Sequence, residues 1–233
     1  MIATLERIDR INDTVKMFWF RPERRMHYTA GQFTELYLPH ENPDDRGERR
    51  WFTLSSSPSE DLLAITTRFA GEKSSTFKKK LFNLPIGTKV TLADPMGDFV
   101  LPKDKTIPLL FVSIGMGVTP VRSMIKWLTD TGEHRNIRLL HAVRTEPELI
   151  FRRLFEAYDM EFTPILKEPS ASWEGETGLL TADRVSRALD TPKTLVYLCG
   201  PEDFTEAITD ETVKHGVAKH RVVTDFFPGY SQN

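Results

Sequence analysis

The stretch RRWFTLSSSP at residues 49–58 combines residues that bind charge with residues that build a strand. Trp51, Phe52, Thr53 and Leu54 favour an extended strand. Arg50 precedes this segment and a run of serine hydroxyls follows it. Taken alone, the pattern is typical of a surface strand that ends in a serine turn, so its chemistry depends on the rest of the chain.

Residues 109–124, LLFVSIGMGVTPVRSM, contain a glycine turn that indicates a phosphate-binding loop. A buried strand is predicted over residues 109–113, and a helix is expected to begin at Pro120 with Thr119 as its cap. Glycines let the backbone approach a phosphate, and free N–H groups at the helix start attract it. The pattern Gly-x-Gly-x-x-Pro differs from the dinucleotide fingerprint only in its last residue. The predicted binding residues are Gly115, Gly117, Val118, Thr119 and Pro120.

The strand after this turn ends in HAVR, residues 141–144. A dinucleotide site commonly carries an acid at this place to hold a ribose diol. Arg144 stands here instead, and a guanidinium suits a 2′-phosphate. A solvated loop arginine is the equally open alternative.

The elements that must position these residues differ between the two halves of the chain. Residues 15–20, 32–38, 51–54, 62–67 and 89–93 form short runs between turn residues, which predicts an antiparallel barrel or sandwich. One helix is expected over residues 75–83, with Ser74 or Ser75 as its N-cap.

Strands and helices alternate in the second half. The expected strands are 109–113, 137–142, 161–166, 195–198 and 221–223, and the expected helices are 120–129, 147–157, 181–189 and 201–215. Such alternation predicts a doubly wound parallel sheet. We therefore expect one domain over residues 1–104 and a second over 105–233, joined through PKDKTI.

Composition excludes several classes of protein. A formal net charge of −2 over 233 residues leaves no basic excess for nucleic acid. The lone cysteine, Cys199, excludes an internal disulfide and a cluster ligated by four thiolates, and it fits a reducing, cytoplasmic location. We expect neither a signal peptide nor a membrane span, because no apolar run approaches about 20 residues. The histidines are not spaced like metal ligands, and the sequence lacks the nucleophile motif of hydrolases.

Together these motifs resemble, nearly end to end and in the same order, those of the ferredoxin–NADP reductase family. The resemblance implies an FAD-binding, antiparallel six-stranded β-barrel followed by an α/β parallel-sheet domain that binds NAD(P). Residues 50–53 are similar to the family's Arg-x-Tyr/Phe-Ser/Thr flavin motif, of which Trp51 is the variable residue. By this resemblance Arg50 would pair with the FAD pyrophosphate, Phe52 would lie against the flavin, and Thr53 would hydrogen-bond near its N5.

Further motifs support the resemblance. TAGQF and DPMGDF are similar to two family stretches, with Ala30 in place of proline and Asp94 in place of glycine. TTRFAGEKSSTF resembles the second flavin segment, which implies FAD contacts from Thr67, Arg68, Gly71, Ser74, Ser75 and Thr76. LCGP resembles the stretch beside which nicotinamide docks, which implies contacts from Cys199, Gly200 and Pro201.

Three residues are open to two interpretations. Cys199 is either an inert packing residue or a catalytic residue that orients the nicotinamide. Asp225 is either a surface acid or a proton relay to the reduced flavin. Phe227 follows that acid at the spacing of a family aromatic near the flavin, although Phe226 or neither ring could take that place.

The implied activity is a hydride transfer from NADPH or NADH to FAD, followed by single-electron transfer to a separate acceptor. That acceptor would be a ferredoxin, a flavodoxin, a haem or oxygenase component, or ferric iron. The alternatives are a free-flavin or ferric-chelate reductase, an electron-transfer subunit of a larger complex, and a nucleotide-binding module without flavin. Leu179 follows Gly178 where NADPH-dependent members commonly have arginine, so the choice of nucleotide stays open.

Overall fold

A computed structural model describes the backbone of residues 1–227 and the side chains as far as Asp225. The chain divides into two compact units, Met1–Val100 and Leu101–Asn233. Within the described residues, no helix is both long enough and apolar enough to cross a membrane.

The first unit is an antiparallel sheet of six strands with one helix. Its elements in chain order are β1 (Ile2–Arg10), β2 (Val15–Pro22), β3 (Phe33–Tyr37), β4 (Arg49–Thr53), β5 (Leu63–Arg68), α1 (Thr76–Phe82) and β6 (Lys89–Leu92). The strand order is β4-β3-β6-β1-β2-β5, so β4 and β5 are the two outer strands. The predicted six-stranded antiparallel sheet is confirmed.

The serine run connects these two outer strands. The Ser55 N–H donates to the Ala64 carbonyl at 2.8 Å, and the Ala64 N–H donates to the Ser56 hydroxyl at 2.9 Å. The Ser55 hydroxyl also lies 2.8 Å from that of Thr66 on β5. Ser55, Ser56 and Ser57 are buried. The serines therefore close the sheet into a barrel and do not form a surface turn.

Helix α1 covers one part of the barrel core. Phe77 and Leu81 are fully buried against it, and their i, i+4 spacing places both on one face of the helix. The Ser75 hydroxyl accepts the Lys78 N–H, which confirms Ser75 as the N-cap.

The second unit is a six-stranded parallel sheet with helices. Its elements are β7 (Leu109–Ile114), α2 (Thr119–Thr131), β8 (Ile137–Val143), α3 (Arg152–Ala157), β9 (Glu161–Leu166), β10 (Glu176–Thr177), α4 (Ala182–Arg187), β11 (Leu195–Pro201), α5 (Glu202–Lys214) and β12 (Val222–Phe227). The order β10-β9-β8-β7-β11-β12 reverses between β7 and β11. Ligands of doubly wound sheets bind at the carboxyl ends of the strands at such a reversal.

One local prediction was wrong, and one strand was missed. Residues 147–157 do not form one helix: a 3₁₀ turn covers Glu146–Glu148, and Phe151 has a left-handed φ of 63°, so α3 begins only at Arg152. Strand β1 was not predicted at all, although it lies between β2 and β6.

Candidate functional site

The glycine turn and the LCG stretch meet at the reversal point of the parallel sheet. Gly117 follows β7, and its backbone packs against the peptide between Cys199 and Gly200 on β11. A Cβ atom at Gly117 would lie 2.1 Å from the Cys199 carbonyl oxygen and 2.9 Å from the Gly200 nitrogen. Only glycine fits this close approach of two backbones.

The turn enters the helix differently from the prediction. A 3₁₀ turn, Gly115–Val118, runs directly into α2, and Gly115 takes a left-handed φ of 53°. Thr119 was predicted to cap α2, but it is the first helical residue, with φ −63° and ψ −43°. Its hydroxyl donates to the Met116 carbonyl at 3.0 Å. The cap prediction was wrong because the turn already has helical geometry, and Pro120 becomes the second helical residue.

Four polar side chains form a row across the sheet at this edge. Asp225, Cys199, Ser113 and His141 occupy paired positions on β12, β11, β7 and β8. The Cys199 thiol donates to Asp225 Oδ2 at 3.9 Å, and Ser113 Oγ lies 2.9 Å from His141 Nδ1. Paired residues of neighbouring strands project from the same face of a sheet, so the row lies on one side.

Burial keeps the inner members of this row neutral. Burial raises the pKa of the Cys199 thiol well above its ordinary value, and the charge of Asp225 adds to that rise. Burial lowers the pKa of His141 to about 4. Cys199 is therefore a thiol at neutral pH and can donate a hydrogen bond, but it is no thiolate nucleophile. His141 is an uncharged imidazole.

Arg144 lies at the exposed carboxyl end of β8 and forms an ion pair. Its Nε donates to Glu168 Oε2 at 2.8 Å, and the Glu168 N–H donates to the Arg144 carbonyl at 2.8 Å. The hydrogen bond and charge of Glu168 raise the pKa of Arg144. Sequence reasoning did not identify Glu168.

Arg50 of the first unit is buried and bound by its own loop. Its Nη1 donates to the carbonyls of Arg46, Gly47 and Arg49 at 2.7–2.8 Å, and its Nη2 pairs with Asp44 at 2.5 Å. Sequence reasoning did not identify Asp44 either.

The other residues of the 50–53 motif face different surroundings. Phe52 is partly buried and lies 5.9 Å, ring to ring, from Phe77. Trp51 is 60% exposed and lies beside Phe33. The Thr53 hydroxyl is buried and has no hydrogen-bond partner within the described part of the chain. The same holds for Arg50 Nε.

The second predicted flavin segment follows β5. Thr67 is buried and Arg68 ends the strand. Gly71 has a left-handed φ of 59° and begins a 3₁₀ turn. The Ser74 hydroxyl accepts the Ala70 N–H, and the Thr76 hydroxyl accepts the Asp44 N–H at 3.0 Å. The structure therefore brings Thr76 to Arg50 through Asp44.

These features fit the two cofactors that the sequence implies. In the first unit, the buried Nε of Arg50 and the buried hydroxyl of Thr53 lack partners among the described residues, as an anion and a flavin edge would require. In the second unit, the backbone at Gly117 leaves no room for a side chain at the strand reversal. Asp225 pairs with Cys199 in the sheet, whereas the side chains of Phe226 and Phe227 lie outside the described residues.

Comparison with known proteins agrees with this architecture. Residues 111–210 match the family model of the oxidoreductase NAD-binding domain. The crystal structure of a ferredoxin NADP+ reductase from Neisseria gonorrhoeae with bound FAD and NADP aligns with a TM-score of 0.82 and 16% identity, covering 97% of this chain and 98% of that one. This chain has the two-domain fold of the ferredoxin–NADP reductases.

Several flavin-dependent proteins and reductase subunits are similar to most of the chain. The FAD/NAD-binding domain of nitric oxide dioxygenase from Vibrio cholerae aligns with a TM-score of 0.82 at 20% identity, covering 97% of this chain and 98% of that chain. Flavohemoprotein A of Dictyostelium discoideum is 27% identical over 90% of this chain and 56% of its own length. The stachydrine N-demethylase reductase subunit Stc4 of Rhizobium meliloti is 27% identical over 89% of this chain and 61% of its own length. The chain thus spans about three fifths of these two curated relatives.

Proposed function

We propose that this reductase-like chain binds FAD in its barrel, accepts a hydride from NADH or NADPH, and passes single electrons to a separate acceptor. The observation that carries the proposal is the packing of Gly117 on the Cys199–Gly200 peptide at the strand reversal. This arrangement brings a phosphate-binding type of turn beside the LCGP stretch at the edge where doubly wound sheets bind nucleotides.

In the barrel, we assign the flavin site to residues 50–53 and to the segment after β5. Arg50 supplies charge for the pyrophosphate, and the buried Thr53 hydroxyl supplies a hydrogen bond to the flavin edge. Phe52 and Trp51 supply aromatic surface. The remaining assigned contacts are Thr67, Arg68, Gly71, Ser74, Ser75 and Thr76, with Phe227 as a further prediction outside the described side chains.

In the parallel sheet, we assign the nucleotide site to the turn after β7 and the end of β11. Gly115, Gly117, Val118, Thr119 and Pro120 form the pyrophosphate loop, and Gly200 and Pro201 border the nicotinamide. Cys199 stays protonated and its thiol donates to Asp225, so we assign it a role in positioning the nicotinamide site and none as a covalent nucleophile. Asp225 accepts from that thiol and is the assigned proton-relay group.

Bound FAD supplies the hydride-to-single-electron conversion, which no side chain of the protein can perform. These 233 residues contain one cysteine, so we place the acceptor outside them. Two relatives are named as reductase subunits, of stachydrine N-demethylase and of glycine betaine monooxygenase. By analogy, an oxygenase or haem component is the acceptor class that we favour over ferredoxin, flavodoxin or ferric iron. A reducing, cytoplasmic location is part of the proposal.

The test is an absorption spectrum of the purified chain before and after anaerobic addition of NADH or NADPH. We expect a yellow protein that releases FAD on denaturation and bleaches with at least one nucleotide. A protein that stays colourless after incubation with FAD would contradict the proposal. Rapid turnover of free flavin by a chain that retains none would instead support the free-flavin reductase alternative.

A further inference from the structure

One carboxylate, Asp44, binds to two residues that we assign to the FAD pyrophosphate. Its Oδ1 accepts from Arg50 Nη2 at 2.5 Å, and its Oδ2 accepts from the Thr76 backbone N–H at 3.1 Å. The Asp44 N–H in turn donates to the Thr76 hydroxyl at 3.0 Å. Asp44 therefore engages both polar groups of Thr76 as well as the Arg50 guanidinium.

The surroundings hold this carboxylate as an anion. Burial alone would raise the pKa of Asp44, but the hydrogen bond and charge of Arg50 and the hydrogen bonds from Arg46 and Thr76 lower it. An Asp44 side chain that is 23% exposed is therefore ionised beside an Arg50 side chain that is only 7% exposed. The donors thus form a site that selects negative charge, and the chain itself supplies the anion.

Arg50 has little capacity left for a second anion in this arrangement. Nη1 is directed at three backbone carbonyls, and Nε is buried and has no partner within the described residues. A phosphate that used the Nη2 and Thr76 donors would have to displace the Asp44 carboxylate or lie against its charge. Either event costs free energy, because like charges repel and a buried ion pair resists separation.

An open groove lies beside this cluster, so a nucleotide can reach it. His40, Thr76, Lys79 and Lys80 line the groove. His40 Nε2 lies 3.0 Å from the Thr76 hydroxyl that accepts from Asp44. Glu41 and Glu48 also line the groove and offset the two lysines, so its charge is balanced and Arg50 with Thr76 must supply the attraction for a phosphate.

We infer that Asp44 competes with the FAD pyrophosphate for Arg50 and Thr76. This competition makes the affinity for FAD weaker than it would be without the Asp44 carboxylate. The inference rests on the proposed FAD site. It makes Asp44 an affinity-determining residue that contacts the binding donors, and it identifies the loop before β4 as the segment that must rearrange when the cofactor is loaded.

The test compares FAD binding by the full chain, freed of any flavin with which it purifies, in three forms. These are the wild type, Asp44→Asn, and Asp45→Asn as the matched control. Asp45 is the exposed neighbour, so its replacement changes the net charge equally without touching Arg50. FAD fluorescence titration gives the dissociation constant, and thermal unfolding of the flavin-free chain gives its melting temperature.

We expect Asp44→Asn to lower the FAD dissociation constant about tenfold and to lower the melting temperature of the flavin-free protein, with Asp45→Asn like the wild type in both. An equal or weaker affinity in Asp44→Asn would overturn the inference and leave the FAD site standing. Absence of FAD binding in all three forms would contradict the proposed function and the inference together.

Discussion

Gly117 is the residue whose identity the structure restricts most sharply. The nearest atoms to a Cβ there are backbone atoms of Cys199 and Gly200, which cannot turn aside as a side chain can. We predict that Gly117→Ala destabilises the second unit by about 1–3 kcal/mol, the usual cost of forced overpacking. It should also raise the KM for NAD(P)H, because the turn must shift. Urea denaturation and steady-state kinetics measure the two effects.

Gly115 offers a control for this prediction. No atom lies within 4 Å of its Cβ position, and its φ of 53° is a conformation that asparagine tolerates. Gly115→Asn should therefore cost clearly less stability than Gly117→Ala, despite its larger side chain. A similar loss of stability in both variants would show that backbone conformation, and not the collision with β11, determines which side chains the turn accepts.

Glu168 is the residue at which the choice of nucleotide can be tested. Its carboxylate pairs with Arg144 and places a negative charge where a 2′-phosphate would need to lie. We predict that Glu168→Gln lowers the KM for NADPH a few-fold and leaves the KM for NADH unchanged, since an exposed pair has a modest effect. Glu174→Gln, an exposed acid on the same loop, is the control. Equal changes for both nucleotides would argue against a 2′-phosphate site at Arg144.

At the scale of elements, barrel closure depends on the serine run after β4. The Ser56 hydroxyl accepts the Ala64 N–H and lies 2.8 Å from the Tyr28 hydroxyl. We predict that Ser56→Ala lowers the free energy of unfolding by about 1–3 kcal/mol, because the Ala64 N–H of β5 and the Tyr28 hydroxyl both lose this partner. Chemical denaturation measures the loss. Ser172→Ala, at an exposed position, should have almost no effect.

The elements that could be predicted are those with a local signal. Strand β9 was predicted with its observed bounds, and α1 to within a residue at each end, because apolar spacing and the Ser75 cap mark them. Strand β1 carries charged residues in ERIDR, and its register shifts between Leu5 and Arg7, so its sequence lacks regular alternation. Its neighbours in the sheet, and not its own residues, make it a strand.

The residues of the candidate site also divide into those that have a local sequence signal and those that do not. The glycine turn and Cys199 could be identified, because the turn follows the apolar strand β7 and Cys199 lies in the apolar strand β11. Asp44 and Glu168 could not, because Thr76 lies 32 residues beyond Asp44 and Arg144 lies 24 residues before Glu168. Their roles come from contacts that only the folded chain creates. The purpose of the serines was missed for the same reason, since their partners are on β5.

At the scale of the whole molecule, acid stability should depend on His141. Its pKa is lowered from 6.5 to about 4 by burial, so the unfolded chain binds an extra proton between these values. The stability linked to the neutral ring is therefore complete above pH 6.5 and is lost as the pH falls towards 4. The shift corresponds to about 3 kcal/mol. Urea titrations from pH 7.5 to 4 should show that His141→Gln removes this part of the pH dependence.

A second histidine variant makes the acid test specific. His27 is exposed, so His27→Gln should retain the pH dependence of the wild type. If His141→Gln lost stability with falling pH as steeply as the wild type, carboxylate groups and not the buried imidazole would set acid stability.

Because Cys199 is buried, the rate at which its thiol reacts with a reagent reports local opening of the second unit. Cys199 is the single cysteine of the sequence, and its side chain on the inner strand β11 is 0% exposed. A thiol-alkylating reagent can therefore modify the native chain only while the structure around this thiol opens. The modification rate relative to that of the unfolded chain gives the free energy of this opening. A bound nucleotide that stabilises the strand reversal will slow the reaction, so ligand binding can be followed without measuring electron transfer.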